Sequence, residues 1–155
     1  MNIINDTLFL EDISVETLMQ EYGSPLYVYE ESVLRSQFRQ LSSGFPEGLL
    51  EIHYSMKANS NPSLLKILRE EGSSIDAVSE FEVRLALESG FEPQQIIFTG
   101  NNNSLAEIEY CVEQEVSVNL GSLVLLEKFG QRFPQTSVSV RINPGIGAGH
   151  HAHCI

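Results

Sequence analysis

The sequence predicts an α/β fold in which parallel strands alternate with helices packed outside them. Three observations carry that reading. From Leu49 onward, short apolar, β-branched segments alternate with amphipathic ones at a period of roughly 20–25 residues. Each amphipathic segment opens on a proline or a serine, the punctuation of a helix start. Polar residues then gather just after each strand: Lys57 and Asn59, Asp76, Thr99 and Asn101, Asn119, and Arg141 and Asn143.

Residues 1–23 form a leading segment. Asp12 or Ser14 caps a short helix through Tyr22, with Ile13, Leu18 and Met19 on its apolar side, and Gly23-Ser24-Pro25 breaks it. Leu26-Tyr27-Val28-Tyr29 is aromatic and β-branched and reads as a strand. Residues 30–42 read as a helix, with Val33, Leu34, Phe38 and Leu41 at helical spacing, ended by Phe45-Pro46-Glu47-Gly48.

The repeating part begins with strand 50–56 and helix 62–71, where Pro62 suits a first helical turn and Gly72 follows the end. Strand 74–78 leads to helix 79–89, with Ser79 as cap, Glu82 completing a capping box and Gly90 as stop. Strand 95–99 precedes helix 104–114, with Ser104 and Glu107 as a second box. Strand 116–120 precedes helix 122–132, and strand 136–142 ends at Asn143-Pro144-Gly145. Five strands alternating with four helices fit either an open doubly wound sheet or a (β/α)8 barrel. Gly100-Asn-Asn-Asn lacks the spacing of a dinucleotide-binding loop. In a barrel all the polar strand ends open on one face, where active sites sit. No closing element follows the Gly/His-rich end, so the expected architecture is a partial barrel of about five strands. Such a half-barrel is expected to expose apolar strand faces and two unpaired edges, favouring self-association.

Composition narrows the function. Hydrophobic residues are 42% and charged residues 19%, a globular balance. A formal net charge of −12 argues against nucleic acid and anionic membranes as partners. The N-terminus does not read as a signal peptide and no run reaches membrane-spanning length, so a cytoplasmic location is expected. Cys111 and Cys154 read as reduced thiols.

Lys57 stands out because it ends a strand and opens a loop rich in Asn and Ser. A lysine that holds an aldehyde needs an amine able to lose its proton, which burial or a nearby cation provides; an ordinary strand-end lysine is the alternative. Asp76 and Arg141 end their own strands and are candidates for the same mouth; a loop-bonding aspartate and a surface arginine are the alternatives. His53 reads as a packed or hydrogen-bonded histidine on the side of Lys57, and Tyr54 as core on the other side. His150, His151, His153 and Cys154 have a metal-ligand composition. Consecutive loop histidines do not fix a tetrahedral geometry, however, and no metal is assigned.

These motifs carry a resemblance. Tyr54-Ser-Met-Lys57-Ala-Asn59 resembles the cofactor-lysine motif of the fold-type III (alanine-racemase-like) pyridoxal-phosphate-dependent decarboxylases. Ser24–Tyr29, Ile75–Ser79 with Glu82, Ile97–Gly100, and Arg141–Pro144 with the Gly-His loop resemble the same family's successive elements, in order. Within the family the diaminopimelate-decarboxylating branch is nearest. Arginine, ornithine and carboxynorspermidine decarboxylases share most features. The resemblance implies a barrel missing its second half and the family's C-terminal β-domain. It divides the chain into an N-terminal segment, 1–45, whose strand 26–29 belongs to that β-domain, and a first half-barrel, 46–155. It also implies pyridoxal 5'-phosphate held at Lys57 with Asp76 and Arg141 nearby. The expected reaction is decarboxylation of an amino acid, meso-diaminopimelate to L-lysine, by a protein that in its longer form is a homodimer. The 155 residues alone are expected to be inactive, because phosphate-gripping loops implied by the resemblance are not in them. A racemase-like relative, or a truncated product binding no cofactor, are the rival readings.

Overall fold

The computed structural model describes residues 1–46 and 48–145. The chain divides into two compact units, Met1–Glu47 and Gly48–Ile155.

The first unit opens with a three-stranded antiparallel sheet: β1 (Asn2–Ile4), β2 (Thr7–Leu10) and β3 (Ile13–Ser14). Ile4 pairs with Thr7, leaving a two-residue loop, Asn5-Asp6, with φ of 49° and 62°. Tight hairpins need positive φ at both loop positions, and Asn and Asp tolerate it better than most residues. Helix α1 (Val15–Tyr22) is capped by Ser14, whose Oγ accepts the Thr17 N–H at 3.1 Å. That settles the choice between Asp12 and Ser14. Glu30 precedes α2 (Glu31–Ser42) and accepts the Glu11 N–H at 3.2 Å. The strand expected at 26–29 belongs to neither sheet, and Tyr27 is 89% exposed. Aromatic and β-branched residues favour a pleated surface only where a partner strand supplies one.

The second unit is the βα repeat. Strands β4 (His53–Ser55), β5 (Ser74–Ala77), β6 (Ile96–Phe98), β7 (Ser117–Leu120) and β8 (Ser139–Val140) form one parallel sheet in sequential order. Helices α3 (Pro62–Glu70), α4 (Glu80–Glu88), α5 (Leu105–Glu113) and α6 (Leu123–Arg132) connect them. A doubly wound sheet reverses its strand order at a switch point. This one steps always to the next neighbour, as a barrel does, so the unit is a partial (β/α) barrel.

Alternation along the strands sorts two faces. Ile75, Ala77, Ile96, Phe98, Val118 and Leu120 point to the helices and join Leu65, Val83, Ala86, Ile108, Cys111 and Phe129 in one buried core. The opposite face carries Ser55, Asp76, Ile97, Ser117, Asn119 and Ser139. Apart from Ile97, those positions are polar. The expectation of exposed apolar strand faces is therefore narrowed to the edge strand β8, where Val140 is 47% exposed on the other face.

The helix ends follow local chemistry. Ser104 and Glu107 form the expected capping box. Ser79 caps α4, but the Glu82 carboxylate accepts the Val78 N–H at 2.6 Å, one residue outside the box position. Helices α3, α4 and α5 end alike. The N–H at Gly72, Gly90 and Glu115 bonds three residues back, and the next N–H five back. This terminus places its bonded residue at positive φ, 88°, 87° and 60° here. Strand β8 is shorter than the expected 136–142 because its ladder with β7 holds only two residue pairs.

Candidate active site at the carboxyl ends of the strands

Because the strands run parallel, their carboxyl ends share one edge of the sheet, and the residues singled out by sequence lie along it. Lys57 follows β4, Asp76 lies in β5, Thr99 follows β6, Asn119 lies in β7 and Arg141 follows β8.

Lys57 is not the last residue of a strand, as the alternation suggested. It sits in a 3₁₀ turn, Met56–Ala58, that packs against β5. The turn is pinned on both sides. Met56 is buried at 1% exposure, and the Tyr54 hydroxyl donates to the Asn59 carbonyl at 3.0 Å. Beyond it, Asn59 Oδ1 accepts the Asn61 N–H at 3.0 Å, and Asn61 caps α3 by accepting the Ser63 N–H at 2.9 Å. Backbone and anchors are thus fixed while the lysine side chain projects. The expected burial is corrected: Lys57 is exposed, because the turn lifts it out of the ladder. Its ammonium makes no ion pair or hydrogen bond among the described residues.

Asp76 is half-buried and is held from both sides. Its partner in register, Ser55, donates to Oδ2 at 2.5 Å, and the Thr99 hydroxyl donates to Oδ1. The Thr99 N–H donates to the Ala77 carbonyl at 2.8 Å, which fixes the hydroxyl beside β5. One carboxylate therefore ties three strands together. Sequence reading placed Asp76 at this edge but missed Ser55, which lies inside the lysine motif. The available signal was the period-two spacing from His53, which puts Ser55 on the polar face.

Arg141 is exposed at the far edge, three strands from β5, with its N–H donating to the Leu120 carbonyl at 2.8 Å. A side chain on Gly121 would sit 3.9 Å from Arg141 Cβ and 3.8 Å from Asn101 Oδ1, so these two residues flank the end of β7. The structure brings Lys57 and Asp76 to adjacent strands. It places Arg141 on the same edge, with no direct bond to either. Between them, the side-chain oxygen of Asn119 is buried without a hydrogen-bond partner among the described residues.

The remaining candidates separate from this edge. The His53 ring lies 3.3 Å from the Ile75 carbonyl and 3.3 Å from Glu51 Oε1, a hydrogen-bonded histidine as expected. Lys57 lies in the 3₁₀ turn, outside the strand alternation that relates His53 to Ser55. Tyr54 packs against the helix-side core. Cys111 is buried in that core, and desolvation pushes its thiol up to about 12. His150, His151, His153 and Cys154 lie outside the described residues.

Residues 31–154 match the family described as "Pyridoxal-dependent decarboxylase, pyridoxal binding domain". The chain is 41% identical over 141 residues to diaminopimelate decarboxylase of Methanothermobacter thermautotrophicus, covering 89% of this chain and 33% of that protein. It is 35% identical over 153 residues to the Staphylococcus aureus enzyme of the same name, covering 95% and 36%. The crystal structure of Helicobacter pylori diaminopimelate decarboxylase complexed with L-lysine superposes with a TM-score of 0.79 at 33% identity, covering 89% of this chain and 36% of that one. The chain thus spans about a third of the length of these relatives. With four-fifths of its residues inside the family match, the chain belongs to the pyridoxal-binding domain family of the pyridoxal-dependent decarboxylases.

Proposed function

We propose that this chain supplies the lysine-bearing part of a pyridoxal 5'-phosphate site in an amino-acid decarboxylase acting on meso-diaminopimelate. The observation that carries the reading is Lys57: a primary amine without a salt-bridge partner among the described residues, projecting from a pinned turn at the carboxyl edge. The surrounding edge fits the group as well. Its face is polar, and the Asn119 oxygen waits there without a partner. The bound cofactor supplies an aldehyde that captures amines and a ring that accepts the electron pair left as carbon dioxide departs.

The chain's own residues then divide the work. Lys57 would hold the cofactor at its aldehyde through Nζ. Asp76 sets a fixed negative charge one strand away, held by two hydroxyls. Arg141 offers a guanidinium, suited to a phosphate or carboxylate, at the far end of the same edge. The choice of diaminopimelate, with L-lysine as product, rests on the names of the relatives. Pairing of the longer protein as a homodimer and a cytoplasmic location complete the proposal. No described helix is long and apolar enough to cross a membrane.

The test joins the chain in frame to the remaining two thirds of the Methanothermobacter relative. The expected result is carbon dioxide release from meso-diaminopimelate, lost in Lys57→Ala. Undiminished release by the Lys57→Ala chimera would remove Lys57 from the reaction.

A further inference from the structure

Asp76 presents a difficulty for Lys57. The two residues leave the same edge of adjacent strands with opposite charges, since Asp76 pairs in register with Ser55 and Lys57 lies two residues further on. A carboxylate paired with that ammonium would keep it protonated, whereas an aldehyde is attacked only by the free amine. The pair is not formed in this structure. Asp76 instead accepts a hydrogen bond on each oxygen: Ser55 Oγ on Oδ2 at 2.5 Å, and Thr99 Oγ1 on Oδ1. Hydrogen bonds to a carboxylate are stronger than those between neutral groups. The donors come from opposite sides, one from β4 and one from the residue after β6, so together they fix the carboxylate plane across β5.

We propose that Ser55 and Thr99 are positioning residues that hold the Asp76 carboxylate within the sheet and so keep the Lys57 amine unpaired and able to take up the cofactor aldehyde. Neither hydroxyl touches the aldehyde, and both act through Asp76. The inference rests on the reading of Lys57 as the cofactor lysine.

The chain contains three lysines, Lys57, Lys66 and Lys128, so the test has internal references. The 155-residue chain is incubated with pyridoxal phosphate. An amine condenses with the aldehyde with loss of one water, and borohydride delivers a hydride that fixes the carbon–nitrogen bond. Peptide mass spectrometry then gives the label at each lysine. In the wild-type chain Lys57 is expected to label ahead of Lys66 and Lys128. In Ser55→Ala/Thr99→Val its lead is expected to fall about fivefold, the scale of one partly exposed ion pair. Ser55→Thr and Thr99→Ser, which keep the hydroxyls, should retain the lead. In an Asp76→Asn background, removing the hydroxyls should change nothing, because no carboxylate is released. The single variants Ser55→Ala and Thr99→Val give the same comparison if the double variant does not fold.

Two results overturn the inference while leaving the cofactor reading intact. One is a wild-type lead at Lys57 that survives loss of both hydroxyls. The other is an equal fall with and without Asp76. Equal labelling of all three lysines in the wild-type chain overturns the cofactor reading itself.

Discussion

The Tyr54 hydroxyl donates to the Asn59 carbonyl at 3.0 Å and closes the turn that carries Lys57. Tyr54 also packs against the helix-side core, so the turn is tied to that core. Tyr54→Phe keeps the packing and removes the tie. It is expected to cost about 0.5–1.5 kcal/mol in chemical denaturation. It should also lower pyridoxyl labelling at Lys57 relative to Lys66. A loss of stability with no change in that ratio would show that the tie holds the fold and not the lysine.

Glu115 occupies the position that Gly72 and Gly90 fill at the ends of α3 and α4, at a φ of 60°. A residue with a Cβ is strained there and glycine is not. Glu115→Gly is expected to stabilise the chain by about 0.5–1 kcal/mol. The reverse change, Gly90→Ala, should destabilise it, since φ is 87° there and the new Cβ would also displace the Arg69 guanidinium from its bond to the Gly90 carbonyl. Urea unfolding of the two variants against wild type measures both.

Ser104 and Glu107 close the α5 box reciprocally, with the Ser104 N–H and hydroxyl donating to the carboxylate at 2.8 and 2.9 Å. The backbone bond and then the hydroxyl bond hold Glu107 below the ordinary value of 4.5. A lowered carboxylate stabilises the fold above its unfolded value and loses that contribution as pH falls. Ser104→Ala should therefore cost about 0.5–2 kcal/mol near neutrality. The gap from wild type should narrow as pH drops below 4.5, measured by unfolding at several pH values.

Cys111 lies in the core, and its thiol is raised from 9.0 to about 12, chiefly by burial, with Glu80 and Glu107 adding to the shift. Its native form should resist alkylation at pH 8 and react once unfolded, read as Cys111-containing peptide by mass spectrometry. A raised thiol favours the folded state's protonated form, so the stability it confers is complete below pH 9 and lost between 9 and about 12. Cys111→Ala should flatten that part of the alkaline decline. Rapid alkylation of the folded chain would contradict the placement.

The 155 residues alone are expected to release no carbon dioxide from meso-diaminopimelate above a cofactor-only control. They span about a third of the relatives' length, and Arg141 is the arginine they place at this edge for an anionic group. Turnover by the purified chain would contradict this.

The βα rhythm was legible because its signals are local. Pro62, Ser79, Ser104 and Ser122 mark helix starts by chemistry within a few residues, and Gly72 and Gly90 mark ends in the same way. What escaped was set by pairing across the chain. The Ser55–Asp76–Thr99 bonds join residues 21 and 23 positions apart and exist only in this register. Leu26–Tyr29 has strand composition, but composition alone supplies no neighbour. The β1–β2 hairpin was different. Its Asn5-Asp6 loop between apolar runs is a local hairpin signal, weak because neither loop position is a glycine. The turn at Lys57 defeated period-two reasoning, which continues a strand until something stops it: the ladder with β5 ends at Ser55, and Met56–Ala58 coil into a 3₁₀ turn.

The most direct test of the central claim is the distribution of reduced pyridoxyl label over Lys57, Lys66 and Lys128 in the wild-type chain. The expected result is label concentrated at Lys57 at low cofactor concentration, with the other two following only at higher concentration. Label spread evenly over the three, or led by Lys66 or Lys128, would contradict the assignment of Lys57 as the cofactor lysine.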